Sequence, residues 1–116
     1  MELVDADTVE QMLVRAMDEV PEQFTAAMHN VAVVLEDHPP PGEDLLGLFE
    51  GLPLTERDHL DEHGGLPDVI TLYRVPLCET ATDLDDLTEW VRSTFFHELG
   101  HYLGLDEDRL HELGWG

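Results

Sequence analysis

The sequence predicts a small α/β domain with about three strands, and three patterns support that prediction. A β-branched run from Val31 to Leu35 and an alternating run from Val69 to Val75 are typical of strands. From Thr82 onward, apolar residues instead recur at helical spacing. A chain of 116 residues has room for one modest core, so we expect a single domain over residues 1–116.

Two helices are predicted before the first strand. Thr8 and Gln11 have the spacing of a capping box, which would open the first helix. Pro21 should break that helix, so residues 21–29 are expected to form a second, shorter one. The apolar face of the first helix consists of Val9, Met12, Leu13, Ala16, Met17 and Val20.

Turn-forming residues predict where the strands end. The prolines at 39–41 follow the first strand, and a second, short strand is expected over residues 45–49. Residues 55–65 are polar, which predicts an exposed loop. Pro76 is expected to close the last strand, whose residues alternate between two faces of the sheet.

The C-terminal third is predicted to be helical. Thr82 is the expected cap of a long helix, whose first turn contains acidic residues that favour the positive end of the helix dipole. Gly104 is well placed to end this helix in a left-handed conformation. A last short helix is expected over residues 108–113.

Composition excludes several classes of function. Twenty-seven acidic residues against five basic ones give a net charge of −22, which would repel the phosphates of a nucleic acid. No apolar run approaches the length of a membrane span, and the N-terminus lacks the basic region of a signal peptide. Cys78 is the only cysteine, so neither an intrachain disulfide nor a cysteine-rich metal site can form. The expected location is the cytoplasm.

One motif contains residues suited to metal binding and catalysis. It is His97-Glu98-Leu99-Gly100-His101, an HExxH sequence within the predicted long helix. Residues four apart lie on one face of a helix, so the imidazoles of His97 and His101 can converge on one metal ion. Zinc held there would lower the pKa of a bound water to about 7, and Glu98 would accept the proton of that water as general base.

The residues after His101 extend the motif to HExxHxxGxxE. A helix that stops at Gly104 allows the chain to turn back and offer a third ligand. The register favours Glu107, while Asp106 and Asp108 on either side are alternatives and His111 is a weaker one. A second pair with the same spacing, His59 and His63, lies in the predicted polar loop and is better explained as solvated.

Three further segments resemble a known family. Residues 45–53, residues 67–74 and the C-terminal stretch Glu112-Leu113-Gly114-Trp115 resemble the small bacterial zincin-like metallopeptidases, or mini-zincins, whose motif is HExxHxxGxxD. This resemblance covers most of the chain. It implies a minimal zincin-like domain, in which a small mixed sheet packs against N-terminal helices and the HExxH helix. Glu107 stands where the family has its Asp ligand.

The resemblance also implies a function. His97, His101 and Glu107 would hold one zinc ion per chain, Glu98 would be the catalytic base, and Trp115 would support the metal from below. The substrate would be a peptide or protein held along an edge strand, with no role for nucleic acid or membrane, and a homodimer through the N-terminal helix is compatible with the family. The alternative is a zincin-like metal-binding or interaction domain without catalysis. A third hypothesis, an acidic mimic that occupies a nucleic-acid-binding partner, rests on charge alone.

Overall fold

Five helices and three strands form the part of the chain that the computed structural model describes, residues 1–28, 30–52 and 68–115. The α/β class expected from the sequence is confirmed. The predicted loop over residues 55–65, with His59 and His63, lies outside the described residues. The elements are α1 (Ala6–Asp18), α2 (Glu22–Thr25), β1 (Val31–Glu36), β2 (Gly47–Glu50), β3 (Asp68–Tyr73), α3 (Arg74–Thr80), α4 (Leu84–Leu103) and α5 (Glu107–Leu113).

The three strands form one mixed sheet in the order β1-β3-β2. The central strand β3 runs parallel to β1 and antiparallel to β2, with Ile70 paired to Val33 on one side and to Phe49 on the other. Ile70 and Leu72 are fully buried in the core. Val69 lies with Thr71 on the opposite face, along a surface groove, so the predicted alternation is confirmed.

The predicted start of α1 and the predicted end of β3 were wrong for local reasons. α1 begins at Ala6 after the N-cap Asp5, so Thr8 lies inside the helix and does not cap it. β3 ends at Tyr73 rather than Val75, and the chain continues into α3, a helix that the sequence did not predict. Pro76 is tolerated there because it is the third residue of α3, where a backbone N–H has no partner within the helix.

The long helix α4 lies at the centre of the packing. It contacts α1 and α3 as well as strands β2 and β3. Val9 and Leu13 of α1 and Leu87 and Val91 of α4 are buried in one continuous apolar cluster that also contains Cys78. Because α4 is held by both the helices and the sheet, the motif in its last two turns is built on a rigid element. Across the described residues, no helix has both the length and the apolar character that a membrane crossing requires.

Candidate metal centre

The ends of α4 are fixed by specific hydrogen bonds. The N-cap is Asp83, whose carboxylate accepts from the backbone N–H of Asp86 at 2.8 Å, so Thr82 is not the cap. Thr82 contributes from outside, because its N–H donates to the carboxylate of Asp86 at 2.9 Å. At the other end Gly104 adopts φ 76° and terminates the helix, as its position after the motif predicted. This left-handed residue turns the chain back toward the site.

The structure brings His97, Glu98 and His101 together on α4. One ligand atom from each of the three side chains lies within 4.8 Å of the others. The two imidazole ring centroids are 4.6 Å apart, and Nδ1 of His101 lies 3.3 Å from Oε1 of Glu98. Glu98 is only 8% exposed, while both histidines are half-buried and reach the surface. Helical spacing therefore produces the convergence that the motif predicted.

Trp115 orients one of these histidines through its backbone. Nδ1 of His97 lies 3.3 Å from the carbonyl oxygen of Trp115, and the protonated Nδ1 can donate to it. That tautomer leaves Nε2 of the same ring with the lone pair that a metal needs. The indole of Trp115 is 6% exposed and packs on Phe24 and Phe96, with ring centroids 5.4 and 4.9 Å apart. A well-packed aromatic thus holds the carbonyl in place.

The three consecutive acids after Gly104 occupy different positions at the start of α5. Asp106 is the N-cap, and its carboxylate accepts from the backbone N–H of Arg109 at 2.8 Å. Glu107 and Asp108 form the first turn and are exposed. Among the described residues, the three groups that converge within 4.8 Å are those of α4, and Glu107 is not one of them.

Two glycines let other elements approach the motif. A Cβ at Gly100 would collide with Cδ2 of the fully buried Leu110, so this glycine lets α5 pack directly on α4. A Cβ at Gly47 would lie 2.7 Å from Cγ2 of Thr94 and 3.4 Å from Cγ of Glu98. Gly47 therefore allows the first residue of β2 to lie against the motif helix beside Glu98.

A cleft of about 320 Å³ opens next to this contact. One wall is the segment 44–47 that leads into β2. The other wall is α4, through Trp90, Ser93, Thr94, His97 and Glu98. Sequence reasoning missed Trp90 and Asp44 as cleft residues. The signal for Trp90 was its position two helical turns before His97, which places both on one face of the helix.

The electrostatic potential around Tyr73, the last residue of β3, is negative. Burial raises the pKa of the Tyr73 hydroxyl above its usual 10.0, and the charges of Glu50, Glu36, Glu43 and Glu98 add to the rise. Tyr73 is therefore a neutral phenol at physiological pH. Several carboxylates thus make the electrostatic potential at Tyr73 negative.

The donor set fits a zinc ion. Imidazole nitrogens are ligands that zinc prefers, and two of them stand one turn apart here with a carboxylate between them. The carbonyl that contacts His97 supplies the outer hydrogen bond that metal-binding histidines usually make. An HExxH helix packed on a small mixed sheet defines a zincin-like domain.

Comparison with known proteins identifies the family. A profile of zincin-like metallopeptidases matches residues 28–115, which is more than half of the chain, and the protein belongs to this family. A solved structure of a conserved hypothetical protein from T. thermophilus is similar, with 28% sequence identity and a TM-score of 0.61. The similarity covers 86% of this chain and 94% of that one. A search of curated proteins gave no match.

Proposed function

We propose that this protein is a zinc-dependent peptidase that hydrolyses peptide bonds with Glu98 as general base. The observation that carries the proposal is the cluster of His97, Glu98 and His101, which lies beside a cleft next to β2. The membership of the zincin-like metallopeptidase family supports it independently. A buried carboxylate between two metal-binding imidazoles is suited to moving a proton at the reacting centre.

Each residue has a separate role in this proposal. His97, His101 and Glu107 would hold one zinc ion per chain, with Glu107 reaching the site from the first turn of α5. Bound zinc supplies a Lewis acid that polarises the scissile carbonyl and makes water acidic enough to lose a proton near neutral pH. Glu98 takes that proton on its carboxylate and delivers it to the leaving amine.

The sheet provides a place for an extended substrate. β2 is an edge strand of the described sheet, and its first residue, Gly47, borders the cleft. A peptide can bind along such an edge through main-chain hydrogen bonds, with its side chains alternating between cleft and solvent. The substrate class we propose is accordingly a peptide or an unfolded protein segment.

The cellular location and the partners that we propose are based on the composition of the chain and on its exposed apolar residues. Residues 1–116 would form one domain that works in the cytoplasm, where a single buried thiol stays reduced. Nucleic acid is an unsuitable partner for a chain of net charge −22. Val14 and Met17 on the outer side of α1 are 50% and 37% exposed, and a homodimer would bury them.

The metal content of the purified protein tests whether the proposed site binds zinc. We expect about one zinc per chain in the native protein and none in the His101→Ala variant, because that variant lacks one of the two imidazoles. Circular dichroism of both proteins controls for folding. A native protein that contains no zinc and takes up none when it is added would contradict the site.

The Glu98→Gln variant tests whether Glu98 is the general base of the proposed reaction. Glutamine has nearly the same shape but accepts no proton, so this variant should retain zinc and lose hydrolysis of a peptide library. The loss should be roughly 100-fold or more in kcat, which is the usual contribution of a general base. Full activity in Glu98→Gln would exclude the proposed mechanism.

A second candidate function is metal binding without catalysis, in a domain that serves as an interaction module. It is favoured by the exposed position of Glu107 outside the three converging groups. This function predicts a zinc-loaded protein that cleaves no peptide in the library and whose partner binding is unchanged in Glu98→Gln.

A further inference from the structure

Two depressions meet at Trp90 on the surface of α4. The cleft of the metal centre is lined by His97 and Glu98 and also by Trp90. A smaller depression of about 220 Å³ shares Trp90 and Ser93 with the cleft and adds two carboxylates from the same helix. Trp90 is half-buried and lines both depressions.

Acidic side chains surround this indole. Asp44 lines the cleft on the wall opposite α4, and Asp86 and Glu89 line the smaller depression. None of the arginines that the structure describes lines either depression. The face of a tryptophan ring attracts the cationic end of Lys or Arg, and a nearby carboxylate strengthens that attraction. The same surroundings repel an acidic side chain.

The distance from Trp90 to the HExxH motif along α4 is within reach of a long basic side chain on a bound peptide. Two helical turns, about 10 Å, separate Trp90 from His97 along α4. An extended peptide advances about 3.3 Å per residue, so a long side chain within one or two residues of the scissile bond can span that distance. Short side chains would leave the indole uncovered.

We propose that the cleft selects peptides with Lys or Arg close to the scissile bond, and that Trp90 and Asp44 are the specificity-determining residues. Trp90 provides the surface on which the cation stacks, and Asp44 provides the opposite charge from the facing wall. The proposal rests on the peptidase function proposed above and names its substrate class.

Binding of matched peptides to Glu98→Gln protein tests the proposal without requiring turnover. Two labelled pentapeptides, identical except for a central lysine or norleucine, are titrated by fluorescence anisotropy. Norleucine has the aliphatic chain of lysine without the charge. We expect the lysine peptide to bind roughly tenfold more tightly, as a cation–π contact and one exposed charge pair together suggest. A glutamate peptide should bind more weakly than either.

Variants in the same background separate the cleft from the general acidity of the protein. Asp44→Asn and Trp90→Leu should each lose most of the preference for lysine, and Asp44→Glu should retain it. The control is Glu43→Gln, which removes the same charge from the exposed residue next to Asp44 and should leave the preference unchanged. Thermal unfolding checks that every variant is folded.

The outcomes distinguish this proposal from the peptidase function. Equal affinity for the two peptides, no binding of either, or a preference that survives in both Asp44→Asn and Trp90→Leu would overturn the specificity proposal. Hydrolysis by the native zinc-loaded protein is then measured on the same peptides. Selective binding without hydrolysis would retain the specificity site and remove the peptidase function, whereas hydrolysis without selectivity would do the reverse.

Discussion

His97 and His101 can bind one metal ion because four residues make slightly more than one turn of α4. Nothing comparable constrains the third ligand. After Gly104 the backbone leaves the helix, and Asp106, Glu107 and Asp108 enter α5 at successive positions. Which of these acids would serve as the proposed third ligand therefore depends on the orientation of α5 and not on helical spacing within α4.

Alanine substitutions at Glu107 and Asp108 test the third ligand. We expect Glu107→Ala to weaken zinc binding by roughly 100-fold or more, since loss of an outer hydrogen-bond partner alone costs about 10–100-fold. Asp108→Ala removes an equal charge from the next residue and should have little effect. The measurement is a competitive zinc titration with a chromophoric chelator. A larger effect for Asp108→Ala would assign the ligand to Asp108.

Asp106 is a poor choice for the same experiment. Its carboxylate caps α5 by accepting from the N–H of Arg109, so its removal would disturb the helix that carries the neighbouring acids.

At the scale of elements, the site depends on how closely β2 and α5 approach α4. Gly47 and Gly100 have no side chains at the two points of contact, opposite Thr94 and Leu110 respectively.

An ion pair connects other elements of the fold at the C-terminal end of β1. Asp37 accepts a hydrogen bond from Nε of Arg74 at 2.8 Å, and Arg74 also donates to the carbonyl of Val4 at 2.7 Å.

Gly47→Ala should separate β2 from α4. The added methyl group would lie 2.7 Å from Cγ2 of Thr94, so we expect a loss of about 1–3 kcal/mol in unfolding free energy. Peptide binding should weaken as well, because the cleft wall moves. The double variant Gly47→Ala/Thr94→Ser removes Cγ2 and should recover part of the stability in urea unfolding. Equal stability of Gly47→Ala and the native protein would show that the contact is not tight.

The Asp37–Arg74 pair should make stability depend on acidic pH. The hydrogen bond from Arg74 holds the pKa of Asp37 below its usual 3.8, so the folded state binds this proton less readily than the unfolded state. The pair therefore stabilises the fold above pH 3.8, and its contribution disappears as the pH falls through the lower folded pKa. Asp37→Asn should lower the Tm at neutral pH, with the difference from the native protein shrinking below pH 3.8. A difference that stays constant with pH would contradict this role.

At the scale of the whole molecule, the net charge of −22 dominates. Few attractive pairs offset it in the described part of the chain, where Arg74, Arg92 and Arg109 each pair with one carboxylate. Such a charge opposes compaction by self-repulsion and attracts cations to the surface. The same charge would repel the phosphates of a nucleic acid, and it is consistent with the basic substrate proposed above.

Salt should stabilise this protein. Raising NaCl from about 0.01 M to about 1 M shortens the range of electrostatic repulsion from about 30 Å to about 3 Å, and we expect the Tm to rise by several degrees. Sucrose at equal osmolarity controls for effects unrelated to charge. A Tm that falls with NaCl would mean that the ion pairs contribute more than the repulsion does.

Local patterns were sufficient to predict much of this protein. The HExxH helix, its end at Gly104, two of the proposed metal ligands and the three-strand content follow from the spacing of a few residues along the chain. α3 was missed because Pro76 looks like a terminator unless one knows that it lies in the first turn of a helix. All of these features, including α3, depend on residues that are close together in the sequence.

The cleft and the contacts that support the candidate metal centre depend on residues far apart in the chain. Trp115 reaches His97 through a carbonyl, Gly47 brings β2 against Glu98, and Asp44 faces Trp90 across a cavity. No periodicity connects such pairs, because their distances result from the packing of whole helices and strands around one core. Spacing along the chain could therefore predict the chemistry of the motif, whereas only the tertiary fold could bring the proposed substrate-selecting residues to it.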